Sequence, residues 1–387
     1  MPNREVSSTI AQRRKPTLRD IAQLVGVHPS TVSAVLNHSP RAHAYSEETK
    51  KNIQTAARQL GYVPNPLARS LKKNRTDLIG VVTFCQQSTY FTSILQGVEE
   101  QAHRLGFEII AADMRRDSAR FDRCIHLLTA WRVEGIVLMI AGHPVNRSLL
   151  RSALDTETPY VEIGSPEPNY SSPHVTFDDF GAGRLIAEHL VSLGHTSIGV
   201  LAGNQENRHS EERLAGIRSI LRERGIDFVD RRVIKACDSK FELSVGHRAA
   251  GLLLEEHPEV TAIICMNDAM AIGAIRRIRE SGLEVPKDIS VAGFDDICLD
   301  DITDSDNRLG AYITPSLTTI RAPLEDMGKA AASMLVETIK KGGASSAEYR
   351  RIEFPPELVV RESTGPATSQ QRKEGVFIAA GAALQRG

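Results

Sequence analysis

The sequence predicts an α/β protein: a two-lobed body of parallel sheets, preceded by a small all-α helix-turn-helix head. Three observations lead there. The first 75 residues read as short helices and carry 13 Lys/Arg against 4 Asp/Glu, whereas the remainder holds 34 basic and 44 acidic residues. From Leu78 onward, short apolar runs alternate with amphipathic helical stretches, the pattern of parallel strands covered on both faces. That stretch is about 290 residues long, large for a single sheet, and so divides into two lobes.

Composition bounds the possibilities. The chain has 387 residues, 41% hydrophobic and 25% charged, the usage of an ordinary globular protein. Cys85, Cys124, Cys237, Cys265 and Cys298 are scattered and never form a C-x-x-C pair, which speaks for a reducing compartment and against a disulfide frame or a zinc site. No run approaches the roughly 20 apolar residues of a membrane span. Met1 to Lys15 is polar and lacks the apolar core of a secretory signal, so a cytoplasmic protein is expected. The net charge of -1 conceals a basic head on an acidic body. That asymmetry suits a polyanion partner for the head, although a solvated basic arm has the same signature.

The expected divisions are a disordered basic arm (1–15), the head (16–64), a hinge helix and linker (65–76), the two-lobed body (77–365) and a disordered tail (366–387). In the head, Thr17 and Asp20 suit a capping box for a helix whose apolar stripe is Leu18, Ile21, Ala22 and Val25. Gly26 breaks it, and Pro29 suits the first position of a second helix. There Val32, Val35 and Leu36 turn inward, leaving Ser30, Thr31, Ser33 and Ala34 largely outside. Ser46 caps a third helix with the stripe Ile53, Ala56, Ala57 and Leu60, stopped by Gly61. A helix-turn-helix of this kind offers its second helix to the major groove, while the stripes alone fit any three-helix bundle equally well.

The wording is more specific than the stripes. Thr17-Leu18-Arg19-Asp20-Ile21-Ala22, Gly26-Val27, Thr31-Val32-Ser33 and Leu36-Asn37 resemble the head of the lactose/galactose repressor (LacI/GalR) family. So do Gly61-Tyr62-Val63-Pro64-Asn65 and Ala68-Arg69-Ser70-Leu71. The resemblance implies that Pro29, Ser30 and Ala34 stand at base-reading positions, and that Thr17, Thr31, Ser33, Asn37 and Ser46 hold phosphates. It also implies that Leu71 is a minor-groove wedge, followed by Lys72 on the backbone, and that the hinge at 65–71 becomes helical when two copies pair on DNA. The chain departs from the family in three places. Ala34 and Pro29 lack side-chain donors, His28 replaces a serine cap, and the Asn37–Ser46 connection is about three residues longer, with Arg41 and His43 inside it. Part of the readout is expected to move onto that loop.

Strands are expected at Leu78–Val82, Phe107–Ala111, Gly135–Ile140 and Tyr160–Ile163, with a helix around Ile94–Leu105. Ligands of such folds lie at the carboxyl ends of the strands. The resemblance continues through Glu188-His189-Leu190, Leu193-Gly194-His195, Arg213-Leu214-Ala215-Gly216, Asn267-Asp268, Val291-Ala292-Gly293-Phe294-Asp295-Asp296, Leu317-Thr318-Thr319-Ile320 and Met327-Gly328. It implies a body like the periplasmic binding proteins, with lobes 77–177 plus 324–350 and 178–322 plus 351–364. Arg213, Asn267 and Asp295 then fall at effector-contact positions, with Phe177, Asp178, the Gln86–Phe91 segment and Phe241 as further candidates. Arg213 and Asp295 paired for structure alone is the competing reading. His189 and His195 read as structural. No metal site or cofactor is expected.

No G-x-x-x-x-G-K-[ST], H-E-x-x-H or G-x-S-x-G string occurs, and Gly181-Ala182-Gly183 lacks the rest of a dinucleotide fingerprint. The expected function is that of a repressor controlled by a sugar or nucleoside-like effector, a homodimer on a pseudo-palindromic operator in double-stranded DNA. A sugar-binding transport protein and an α/β enzyme with an accessory nucleic-acid module are the alternatives from other classes.

Overall fold

A computed structural model describes residues 16–37, 39–63, 75–140, 145, 158–164, 172–202, 208–226, 232–235, 243–298, 308–342 and 350–367. The chain divides into two compact units, one ending at Thr76 and the other beginning at Asp77. The expected basic arm, the hinge with Leu71 and Lys72, Phe241 and the tail from 368 onward lie outside the described residues.

The head contains α1 (Leu18–Val25), α2 (Pro29–Leu36) and α3 (Glu47–Leu60). The Asp20 carboxylate accepts from both the backbone N–H and the hydroxyl of Thr17, at 2.7 and 2.8 Å, fixing the start of α1. Gly26 and Gly61 end α1 and α3 at φ +73° and +65°, where a side chain would strain the backbone. Ile21, Ala22, Val32, Val35, Ile53, Ala56 and Ala57 form the core. Leu60, assigned to the inward stripe, is the last residue of α3 and is 38% exposed. His28 proves a working cap: its Nδ1 accepts from the Ser30 N–H at 3.3 Å.

The body holds two six-stranded sheets. The first contains β1 (Leu78–Thr83), β2 (Glu108–Asp113), β3 (Gly135–Met139), β4 (Tyr160–Ile163), β5 (His174–Phe177) and β11 (Arg351–Phe354), in the order β11-β5-β4-β3-β1-β2. The second contains β6 (Ile198–Ala202), β7 (Val233–Lys235), β8 (Ala262–Cys265), β9 (Ser290–Asp295), β10 (Thr318–Arg321) and β12 (Glu357–Val359), in the order β12-β10-β9-β8-β6-β7. Among the described strands, every pairing is parallel except β10 with β12. The covering helices are α4 (Thr89–Arg104), α5 (Phe121–Ala130), α6 (Asp179–Ser192), α7 (Arg208–Glu223), α8 (Leu243–Glu256), α9 (Asp268–Glu280) and α11 (Leu324–Lys340), with a single turn α10 at Leu309–Tyr312.

The chain passes between lobes after β5, after β10 and between β11 and β12. The last crossing corrects the sequence reading: Arg351–Phe354 pairs with His174–Phe177 in the first sheet, so the boundary falls at 354–357 and not at 350. Strand assignment at a sheet edge rests on partners 170 or more residues away, which local pattern does not encode. His195 ties the end of the body to the second lobe through Thr261, Ser290 and the Gly365 carbonyl, and His189 meets Thr364. Both histidines therefore serve the fold. The described cysteines, Cys85, Cys124, Cys265 and Cys298, are free thiols.

Candidate functional site

In the second lobe, α6, α7 and the carboxyl end of β9 bring a cluster of buried charged side chains together. Asp178 precedes α6 and spends its carboxylate as the cap, accepting from the Gly181 N–H at 2.7 Å. Asp179, the first residue of the helix, is therefore the one turned into the interior, where it is 1% exposed. On α7, His209 and Arg213 are four residues apart and share one face. Both reach Asp179: His209 Nδ1 at 2.5 Å to Oδ2, and Arg213 Nε at 2.7 Å to Oδ1.

The Arg213 guanidinium is fixed on every side. Its Nη1 donates to the Met266 carbonyl at 2.7 Å, and its plane lies 4.5 Å from the Phe294 ring centre. The contact to Asp295 is long, 3.4 Å from Nη2 to Oδ1. The tight ion pair is thus Arg213 with Asp179, leaving Asp295 loosely held. Asp295 and Asp296 both adopt positive φ, 102° and 49°, at the end of β9. Such backbone costs roughly 1–3 kcal/mol per residue and persists where neighbours enforce it. Here Asp296 is clamped by Arg321 Nε and Arg361 Nη2, each at 2.8 Å, which holds the turn that follows Asp295.

The electrostatics follow from burial and pairing. Burial works to raise the Asp179 carboxyl, but His209 and Arg213 outweigh it and hold it below its ordinary value. Burial pushes Asp295 up; Arg213 opposes, and the Asp179 charge adds to the rise. Burial opposes the charge on Arg213, and the two aspartates overcome it. Tyr90, at the start of α4 in the first lobe, is raised by burial and then by Asp179 and Asp295, so it lies within electrostatic reach of the same charges. It also packs edge-on against Phe91, ring centres 5.2 Å apart.

The expected effector residues thus separate. Arg213 and Asp295 come together with Phe294, and Asn267 stands at the head of α9 beside Met266. Asn267 uses its side-chain oxygen to cap α9, accepting from the Met270 N–H at 2.8 Å, so its amide NH2 is the end left to project. Phe177 is 3% exposed in the core, and Asp178 is a cap. The expected Gln86–Phe91 segment contributes Tyr90. Asp179 and His209 were not among the expected residues. The capping preference for the aspartate just before a helix, and the four-residue step back from Arg213, were the available signals. Among the described residues, no group of three His, Cys, Asp or Glu has a metal-holding arrangement, and no helix is long and apolar enough to cross a membrane.

In the head, Ser30 is exposed at the start of α2, with Pro29, Thr31, Ser33 and Asn37 half-buried around it and Thr17 half-buried beside α1. Ser46 is exposed and caps α3 by accepting from the Thr49 N–H at 3.2 Å. Asn37 donates its amide back to Ser33, to the carbonyl at 2.8 Å and the hydroxyl at 3.3 Å. Ala34, expected outside, is only 9% exposed. The long connection causes this: Pro40–Ala44 folds as a 3-10 helix beside α2, with the Ser39 N–H bonded to the Ala34 carbonyl at 3.0 Å.

Residues 17–65 match the model of the bacterial regulatory proteins, lacI family, and residues 187–364 match that of the periplasmic binding protein-like domain. The HTH-type transcriptional repressor PurR of Haemophilus influenzae is 30% identical over 347 residues, covering 90% of this chain and 98% of that protein. PurR of Aliivibrio fischeri is 31% identical over 350 residues, with the same coverage. Among solved structures, the lac repressor dimer bound to operator and the anti-inducer ONPF shares 27% identity with a TM-score of 0.76, covering 91% of this chain and all of that one. A complex of the transcriptional regulator CelR with cellobiose shares 29% identity with a TM-score of 0.66, covering 90% and 99%. The chain therefore belongs to the lacI family of bacterial regulatory proteins, DNA-binding transcription regulators that carry an effector-binding body and are not enzymes.

Proposed function

We propose that this regulator is a cytoplasmic homodimeric repressor whose hold on a pseudo-palindromic operator is set by a neutral, hydroxyl-rich effector, a sugar or nucleoside, in the cleft. The observation that carries the effector class is the Asp179–Arg213–Asp295 arrangement facing Tyr90. Its one strong cation is already neutralised by Asp179, and Asp295 adds a loosely held carboxylate. A phosphorylated or carboxylated ligand would meet excess negative charge at the floor, whereas hydroxyls or ring N–H groups can donate to Asp295, and hydroxyl oxygens or unprotonated ring nitrogens can accept from Arg213 Nη2. The related structures were solved with such neutral molecules, cellobiose in one and ribose in another.

Binding across the cleft would favour one arrangement of the lobes and so bias the paired hinges and heads. Coupling of this kind is typically about 1–3 kcal/mol, or roughly 5–150-fold in affinity. The test is a thermal-shift screen of sugars and nucleosides on the full chain, followed by measurement of binding to duplexes selected from a random pool. A stabilising compound should change duplex affinity, and Arg213→Ala should abolish its stabilisation while leaving duplex binding. If Arg213→Ala responds like the parent, the cleft assignment is wrong. Deleting residues 1–75 should abolish duplex binding and preserve effector binding; a transport protein would have no duplex binding to lose. Leu71→Ala should weaken operator affinity and reduce the bend measured by circular-permutation mobility, since a wedge supplies both. Unchanged bend and affinity would rule the wedge out.

A further inference from the structure

The turn that carries Asp295 is fastened to the segments that join the two lobes. In the second sheet Arg321 pairs in register with Asp295 on one side and with Glu357 on the other. Arg321 ends β10, just before the chain crosses to α11, and Glu357 opens β12, just after the chain returns from β11. The side chains follow the same row: Arg321 donates through Nε to Asp296 Oδ2 at 2.8 Å and through Nη1 to Glu357 at 3.0 Å. The Ala322 N–H, first in the crossing to α11, reaches the Asp295 carbonyl at 3.4 Å. The crossing after β5 joins the set through the Asp178 N–H, which donates to the Phe354 carbonyl at 3.0 Å. The Asp295–Asp296 turn and all three inter-lobe segments are thus connected by direct contacts.

One contact in this set is left open. Asp296 is fully buried, and Arg361 Nη2 holds its Oδ1 at 2.8 Å. Its Oδ2 faces two guanidiniums, with Arg321 Nε at 2.8 Å and Arg308 Nε at 4.0 Å. Arg308 is already anchored to the same residue, its Nη1 donating to the Asp296 carbonyl at 2.8 Å. The Arg308 Nε is buried and has no hydrogen-bond partner among the described residues. A buried donor without an acceptor is unfavourable, and a shift of about 1 Å would bring this one into bonding range of Oδ2. Close approach of both arginines is opposed by like-charge repulsion, since Arg308, Arg321 and Arg361 already surround a single carboxylate. Of the three, Arg321 is the one with a second acid, Glu357, to keep if it leaves.

We propose that Arg308 and Arg321 exchange on Asp296 Oδ2, and that this exchange passes the state of Asp295 to the inter-lobe segments. Arg308 is then a positioning residue, acting through Asp296 and not by contact with the effector. With Arg321 on Oδ2, as in this structure, the turn is locked to the end of β10. With Arg308 on Oδ2, Arg321 keeps Glu357, and the end of β10 moves independently of the turn. An effector that donates to Asp295 displaces the turn and selects between the two arrangements. The regulatory part of this inference rests on the effector reading of the cleft; the exchange itself does not.

The test compares full-length Arg308→Met, Arg321→Met and the double variant. Because each arginine replaces the other on Oδ2, the double variant should lose more in Tm than the sum of the single losses, by about 2 °C or more. Additive losses would overturn the exchange, whatever the protein binds. The second measurement uses a duplex that the unaltered protein selects from a random pool. The two single variants fix opposite members of the exchange, so they should shift duplex affinity in opposite directions, each by about 3-fold or more. A packing defect would weaken binding in both. Shifts of the same sign, or none, would overturn transmission to the heads. If a Met variant does not fold, the Lys variants, which keep a charge but lose the Nε donor, supply the same comparison. Failure of the unaltered protein to select any duplex would sink the DNA-binding reading instead, and the Tm comparison would still decide the exchange.

Discussion

Replacing Asp179 with Asn should destabilise the body by roughly 3–5 kcal/mol, because it leaves the buried Arg213 charge without its close partner. For a body of this size that corresponds to a fall in Tm of about 10 °C. The cost arises from the charge left behind: Arg213 is 7% exposed, and its remaining carboxylate, Asp295, is 3.4 Å away. Asp179→Asn combined with Arg213→Met should consequently be less damaging than the sum of the two single changes. Additive losses would show that Asp179 and Arg213 do not act as a pair.

The same residue gives the pH dependence its sign. A carboxyl held below its ordinary value in the folded state contributes stability that is present above the unfolded pKa and lost as pH falls through the folded one. Asp295, raised, does the reverse: its burial as a carboxylate costs stability at neutral pH, and protonation recovers it as pH falls through its elevated folded value. The parent should therefore lose the Asp179 contribution only in the acid range below the ordinary aspartate pKa, a loss that the Asn variant has already suffered at neutral pH. Tm measured between pH 7 and pH 3 should converge for the two proteins toward the acid end. A gap that stays constant across that range would show that Asp179 acts through shape and not through charge.

Why Asp179 escaped the sequence while Arg213 did not is a matter of distance along the chain. Arg213, Asn267 and Asp295 sit inside long motif strings, so their positions follow from the strings themselves. Asp178 and Asp179 are neighbours at a strand-to-helix junction, and which carboxylate caps and which turns inward depends on where α6 begins, a one-residue decision. The three helices of the head and four strands of the first sheet, β1 to β4, were legible because their apolar patterns are local. The fate of Ala34 was not, since it depends on an inserted segment folding back across α2. Likewise the alternating exposure of β11 marks a half-covered strand but says nothing of which sheet receives it.

The largest effect from the smallest change is expected at Gly183. A Cβ added there would lie 2.0 Å from the backbone carbonyl oxygen of Arg213, and the reciprocal Gly216 would meet the Phe180 carbonyl at 2.1 Å. Helices α6 and α7 thus cross with backbone on backbone, and that crossing sets Asp179, one turn before Gly183, against Arg213. In Gly183→Ala the obstacle is main chain, which cannot swing aside, so α7 must retreat by more than 1 Å to restore ordinary contact. Overpacking alone costs about 1–3 kcal/mol. The retreat also lengthens the 2.7 Å Arg213–Asp179 bond beyond hydrogen-bonding distance, adding the penalty of a separated buried pair. Gly183→Ala should accordingly lose both thermal stability and any effector-induced stabilisation. Gly225→Ala, at φ +66° with nothing within 4 Å of the added carbon, should show only the backbone penalty of about 1–2 kcal/mol. If Gly183→Ala binds effector like the parent, the α6–α7 crossing does not position Arg213, and the recognition of ligand must lie elsewhere in the cleft.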